Sequence, residues 1–366
     1  MESSADSMGP RWLYALLERV FAVDDITLGG PGSQTIRVRG RFLVPTRDAF
    51  AYLEPHCRHQ GYACAFRRED GSETVYLVKR TNLPGANRVW LPALLAILTV
   101  ISVVFSYLFF WEAPSLSWDA IQIGLPRALM FALPLLAILS THEMGHYLMA
   151  RHYKIAVSFP YLVPFPLSPF GTMGAVIRMK DVTPNRRALL LVGAAGPLAG
   201  LLITLPVLVI GLSLSELQVP PPGGYVIEGN SLLYWGVKYL VFGRWLPAAN
   251  LDVFIHPMAF AGWAGLLVTS MNLMPAGQLD GGHIAYALLG QKARYVMYAV
   301  LAVLLVLGIW WQGWWLWAVL VFITGRNHPG PSDDLSLLNP RERTLAVALL
   351  VLFVLTFTPL PMIIVM

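Results

Sequence analysis

His142, Glu143 and His146 stand in the order H-E-x-x-H. On a helix, histidines at i and i+4 share one face, one turn apart. That spacing suits two imidazole ligands of a single tetrahedral zinc ion, with the intervening glutamate as general base. The surroundings sharpen the reading. From residue 128 to residue 150 the only charged side chain is Glu143. An ionised residue at the centre of a membrane helix disfavours insertion by about 2.5–3.5 kcal/mol. An ionisable group in such a stretch is therefore a functional-site candidate by default. The chemistry these residues point to is metal-assisted hydrolysis within a bilayer.

A zinc site of this kind needs a third protein ligand. The best source is Asn272-Leu-Met-Pro275-Ala-Gly277-Gln-Leu-Asp280-Gly281-Gly282-His283. Pro275 and the three glycines cannot all continue a helix, so the span must break here. Irregular backbone at membrane depth is tolerated only where protein or a cavity surrounds it. Asp280 is the expected ligand. The alternative is an Asp capping a helix that begins near Gly282. His283 and His256 are weaker candidates, better explained as hydrogen-bonded packing or interface residues.

The elements that must position these groups follow from composition and periodicity. Hydrophobic residues make up 56% of the 366-residue chain and charged residues 13%, with mean hydropathy +0.59. Charged residues usually reach about 25% in soluble chains. The expected fold is a polytopic α-helical membrane protein of six or seven spans with a small N-terminal α+β domain. We place the domain at 1–85 and the membrane part at 86–366. In the former, the patterns predict a helix over 11–23, a strand over 36–44, a helix over 46–60, and strands over 62–67 and 74–79. Apolar stretches at 89–110, 126–150, 188–213, 254–275, 294–309, 314–325 and 344–364 are the spans. The fifth and sixth are short for a bilayer and read as a tight hairpin or one re-entrant unit.

Net charge is +5. It is explained by the orientation rule rather than by nucleic-acid binding. With the N-terminus inside, eleven Lys and Arg (Arg326 among them) fall on inside loops against three outside. Cys57 and Cys64 read as two reduced thiols. The acidic N-terminus resembles neither a secretory signal nor an Arg-rich transit peptide. A prokaryotic cell membrane with a cytosolic N-terminus is the resulting expectation. The Pro-Pro-Pro-Gly-Gly run after Val219 belongs to an external loop, and 231–245 is an interfacial segment.

His142-Glu-Met-Gly-His146 followed by Asn272-x-x-Pro-x-x-x-Leu-Asp280-Gly-Gly resembles the site-2 protease family of intramembrane zinc metalloproteases. The resemblance covers most of 89–325. It is nearest to the branch with a soluble N-terminal domain that includes the plastid ethylene-dependent gravitropism-deficient and yellow-green proteases. It implies Zn2+ held by His142, His146 and Asp280, Glu143 as base, and Asn272 in substrate or oxyanion contact. It also implies transmembrane protein substrates and regulated intramembrane proteolysis. The competing readings are a membrane zinc transporter, which would show more His/Asp pairs, and a silent scaffold, which would lack Glu143.

The segment from Phe159 to Pro169 is too rich in proline for a helix. Gly171 to Met179 then combines two glycines with a β-branched pair. A membrane-embedded β-hairpin is expected, with 171–178 as an edge strand beside the zinc. Gly171 and Gly174 are its substrate-binding candidates, because they permit close backbone approach.

Overall fold

The computed structural model describes residues 11–29, 35–80, 90–112, 117–220, 224–248, 251–325 and 330–365. Residues 1–10, the domain boundary expected at 85, most of the proline run and Arg326 lie outside them.

The N-terminal part is α1 (Arg11–Leu17), β1 (Phe21–Leu28), β2 (Thr35–Phe42), α2 (Thr46–His59), β3 (Tyr62–Glu69) and β4 (Ser72–Lys79). The strands form one antiparallel sheet in the order β1-β2-β4-β3. Alternation works as expected in β2, where Ile36 and Val38 face a core of Leu13, Leu53, Phe66 and Val75 while Arg37 and Arg39 turn outward. The helix expected over 11–23 stops at Leu17, and Phe21 begins a strand instead. Pairing decides this. Phe21 lies opposite Phe42, with ring centroids 4.8 Å apart, and β1 covers an edge of β2 that would otherwise be open.

The helical part runs α3 (Trp90–Tyr107), α4 (Trp118–His152), β5 (Tyr161–Pro164), β6 (Thr172–Val176), α5 (Arg186–Ser213), β7 (Glu216–Gln218), β8 (Tyr225–Glu228), α6 (Leu232–Phe242), β9 (Asp252–Phe254), α7 (Pro257–Leu273), α8 (Asp280–Leu289), α9 (Ala293–Leu307), α10 (Gly313–Gly325), α11 (Pro340–Thr356) and β10 (Met362–Val365). Among the described residues, four helical stretches are long and apolar enough to cross a membrane. These are Trp90–Glu112, α4, α5 and Asp280–Leu307. The remaining expected spans are shorter: α7 and α11 have 17 residues each and α10 has 13. The fifth span is longer than expected, because α8 and α9 run on through a single 3-10 turn at Gly290–Lys292. α11 stops at Thr356 rather than near 364, since Pro359 and Pro361 cannot continue it. Its tail becomes β10, paired with β8.

α4, α5 and α7 pack pairwise and form the centre of the helical part. α5 is capped by Asn185, whose side chain accepts from Ala188 N. Helix–helix contact is close because α5 offers small residues: a Cβ on Gly145 of α4 would lie 2.4 Å from Ala195 O. The two parts of the chain meet through residues 330–336. Ser332 N donates to Thr183 O, Asp333 N donates to Pro184 O, and Phe66 N donates to Ser332 O, each at 2.8 Å. The Asp334 carboxylate takes an ion pair from Arg186 at 3.0 Å and a hydrogen bond from Tyr286 at 3.0 Å.

Candidate metal centre

His142 and His146 occupy adjacent turns of α4, 3% and 6% exposed. Their face of α4 is pressed against α5. Gly196 and Gly200 allow this approach. A Cβ on Gly196 would stand 2.0 Å from His146 Nε2, and one on Gly200 would stand 3.1 Å from His142 Nδ1. The sequence reading missed these glycines. The signal was present as Gly193-Ala-Ala-Gly196-Pro-Leu-Ala-Gly200, a small-residue stripe on one helix face. Nothing in that stripe says which groups it approaches.

Asp280 arrives from the other side. α7 ends at Leu273, the chain turns through Pro275 and Gly277 (φ +62°), and α8 begins at Asp280. The break is as expected, but α8 starts two residues earlier than Gly282. Its N-cap is Leu279, without a side-chain capping bond. Asp280 is thus not the cap, and its carboxylate reaches the histidines instead.

Three donor atoms converge. His142 Nε2 and His146 Nε2 lie 3.3 and 3.2 Å from Asp280 Oδ2, and 3.2 Å from each other. Zinc–nitrogen and zinc–oxygen bonds of about 2.0–2.1 Å give tetrahedral edges of about 3.3–3.4 Å. The triangle therefore has the size of one face of a zinc tetrahedron. Hydrogen bonding supports the same reading. His146 Nδ1 lies 2.8 Å from Val192 O. With its Nδ1–H committed there, a neutral His146 turns the lone pair of Nε2 inward, toward a carboxylate oxygen. Lone pairs facing at that separation repel unless a cation lies between them. The donor set fits a divalent metal.

Glu143 is 7% exposed and projects beside this face. Its carboxylate lies beside the backbone of Ile177, just past β6. Asn272, on α7, brings Nδ2 within 3.3 Å of His142 Nε2. These groups open into a cavity of about 570 Å³ whose wall includes residues 175–183 and Gln278. His283 lines it one turn beyond Asp280 without joining the three donors. His256 is elsewhere, capping α7 by accepting from Met258 N.

The hairpin expected around Phe159–Met179 is present. β5 and β6 pair antiparallel, and Ser158 N to Arg178 O and Lys180 N to Ala156 O extend the pairing. Among the described residues, β6 has β5 as its one strand partner, and no strand pairs with its other edge. α3 and the helical turn that follows it at Leu108–Glu112 carry this hairpin: Ser102, Ser106 and Trp111 donate to the carbonyls of Gly171, Pro166 and Pro169. Gly171 (φ +72°) serves that packing. A Cβ there would meet Val103 Cα at 2.4 Å. Gly174 (φ +94°) has open space around it, and neither glycine is among the residues lining the cavity.

Residues 130–308, which contain all three donors, Glu143 and Asn272, match Peptidase family M50. The chain carries a peptidase family M50 domain. Over 251 residues the chain is 34% identical to "Probable zinc metalloprotease EGY2, chloroplastic" of Arabidopsis thaliana, covering 66% of this chain and 43% of that protein. It is 34% identical to the EGY1 protein of Oryza sativa subsp. japonica over 252 residues, 65% of this chain and 42% of that one. It is 30% identical to the rice EGY3 protein over 247 residues, 61% and 41% respectively. The M50 domain and its flanks thus span less than half the length of these curated relatives. No solved structure matches the chain. The relatives overturn one expectation. They are chloroplast proteins of plants, which points away from a prokaryotic cell membrane and toward a plastid membrane. The expectation had rested on the lack of an Arg-rich leader, and where a sequence begins does not decide its compartment.

Proposed function

We propose that this chain is an intramembrane zinc metalloprotease of a plastid membrane, acting in regulated proteolysis on peptide bonds within or near transmembrane segments of membrane-protein substrates. The observation that carries the reading is the convergence of His142, His146 and Asp280 beside a buried glutamate in one cavity. Zinc held by these three residues would supply Lewis acidity toward a water molecule and the scissile carbonyl. Glu143, buried beside Ile177, accepts the proton of the attacking water and returns it to the leaving amine. Asn272 Nδ2 donates to the oxyanion that develops on the carbonyl. Val192 O fixes the tautomer and tilt of His146 throughout. Four long apolar helices carry the site into the bilayer, and α7, α10 and α11 complete a bundle of seven crossings.

A transmembrane substrate keeps its carbonyls in helical hydrogen bonds and must unwind before it is cut. The open edge of β6 supplies replacement partners by strand addition and presents the unwound chain to Glu143. Gly174→Pro tests this step, since proline forces φ from +94° to about −65°. Cleavage of a transmembrane reporter is expected to fall while bound zinc stays unchanged; wild-type cleavage by this variant would remove the strand-addition step alone. The whole reading is tested by metal removal. The full chain in lipid nanodiscs is expected to lose reporter cleavage on chelation and regain it with added zinc. Cleavage insensitive to a strong chelator would overturn it.

A further inference from the structure

β3 is an outer strand of the N-terminal sheet, and its free edge faces a cleft of about 640 Å³ between that sheet and the helical part. At Phe66 the backbone groups turn away from β4. Phe66 N donates to Ser332 O at 2.8 Å, and Phe66 O accepts from Asp334 N at 3.4 Å. Gly61 O, in contrast, accepts from Arg80 N on the β4 side. Alternation along an antiparallel ladder then aims the N–H and C=O of Tyr62 and Cys64 the same way as those of Phe66. Residues 332–334 cover this edge at Phe66, where they lie parallel to it. Among the described residues, no backbone group bonds Tyr62 or Cys64 from that side. Tyr62, Ala63, Cys64 and Ala65 line the cleft, with Ala63 exposed and Cys64 set deeper at 3% exposure.

Two observations say what fits there. The cleft and the catalytic cavity share Lys180, Asp181 and Val182 as lining, so the two adjoin along one segment. The cleft is also cationic. Arg58, Arg67, Lys79, Arg80, Lys154 and Lys180 line it, against the carboxylates of Glu54 and Asp181. Arg80 and Arg58 pair with Asp181 at 2.8 and 3.6 Å, which ties the shared wall to the N-terminal sheet.

We propose that the cleft binds the extramembrane tail of the substrate, as an extended acidic segment that adds to the edge of β3 at Tyr62–Cys64 and runs past Lys180–Val182 into the catalytic cavity. Main-chain bonds to the edge give affinity for any extended peptide, and the cations select acidic ones. The N-terminal sheet thereby chooses substrates for a site to which it contributes no ligand. The proposal rests on the protease reading, and its test separates the two.

Binding is measured first, without cleavage, on the full chain in nanodiscs carrying Glu143→Gln. A fluorescent peptide rich in Glu and Ser is expected to bind, and length-matched Lys-rich and Gln-rich peptides are expected to bind at least about tenfold more weakly. The pair Lys79→Glu and Lys154→Glu is expected to erase that difference, as reversal of two exposed charges accounts for about tenfold. A photoreactive residue at Ala63 should crosslink to the acidic peptide, whereas one at Leu43, outside the cleft lining, should not. Equal binding of all three peptides, or a position-63 crosslink only to the chain's own residues 81–89, would overturn the exosite. Cleavage comes second. Wild-type protein should favour an acidic-tailed reporter over a neutral-tailed one through KM, with kcat unchanged. Acidic-peptide binding with no cleavage of any reporter would keep the cleft and refute the protease reading. Cleavage without tail preference would do the reverse.

Discussion

Glu143→Gln cuts cleavage of a transmembrane reporter by about 10²- to 10⁴-fold, the usual contribution of a positioned acid–base group, and leaves bound zinc unchanged. The geometry separates the two properties. Glu143 is buried next to His142 but is not one of the three converging donors. It lines the cavity together with Ile177 at the rim of the hairpin, where an extended substrate would pass. Glutamine keeps the shape and the hydrogen-bond acceptor while losing the ability to take a proton. Reporter cleavage by the purified variant, read together with zinc by mass spectrometry, checks this. A variant that cleaves at a substantial fraction of the wild-type rate would return the base role to another group. A variant that lost zinc would make Glu143 part of the metal-holding structure.

Gly196→Ala is the second large effect, and it acts through packing. The added methyl would stand 2.0 Å from His146 Nε2, far inside contact distance. The ring cannot step aside cheaply: it is 6% exposed, and its Nδ1 is tied to Val192 O at 2.8 Å. Either α5 withdraws from α4 or His146 leaves its place opposite Asp280, and both pull the donor triangle apart. Zinc affinity is expected to fall by at least about 10- to 100-fold, the scale of losing a group that orients a metal ligand, and cleavage is expected to fall with it. Gly236→Ala on α6 is the control, because a Cβ there meets nothing within 4 Å. Competition with a chelator of known affinity reads the result. A Gly196→Ala protein that holds zinc as tightly as wild type would show that α4 and α5 are not so closely coupled at the site.

What was legible in the sequence was local. The spacing of His142 and His146 places two ligands on one helix face wherever that helix lies, because 3.6 residues per turn is a property of the backbone. The break at Pro275–Gly282 follows equally from residue types that cannot stay helical. The proline-rich segment before Gly171 announced a hairpin, and the alternation in β2 announced a half-buried strand. Each of these is decided within a dozen residues.

The rest was decided at a distance. Phe21–Leu28 is a strand because β2 offers it an edge and Phe42 offers it a ring, neither of which its own apolar pattern contains. α11 gives way to β10 because β8 is there to pair with it. Gly171 packs against α3, and Gly193, Gly196 and Gly200 face Asp280, His146 and His142. A glycine shows in sequence only that backbone can approach, whereas what approaches is set by the other helix. Asp280 shows the same division. The sequence by itself offers it as a carboxylate at a helix break, the expected ligand, with capping of the next helix as the alternative. Only the packing of α4, α5 and α7 aims it at two imidazoles over 130 residues away, since a ligand set drawn from separate helices exists only once those helices share a core.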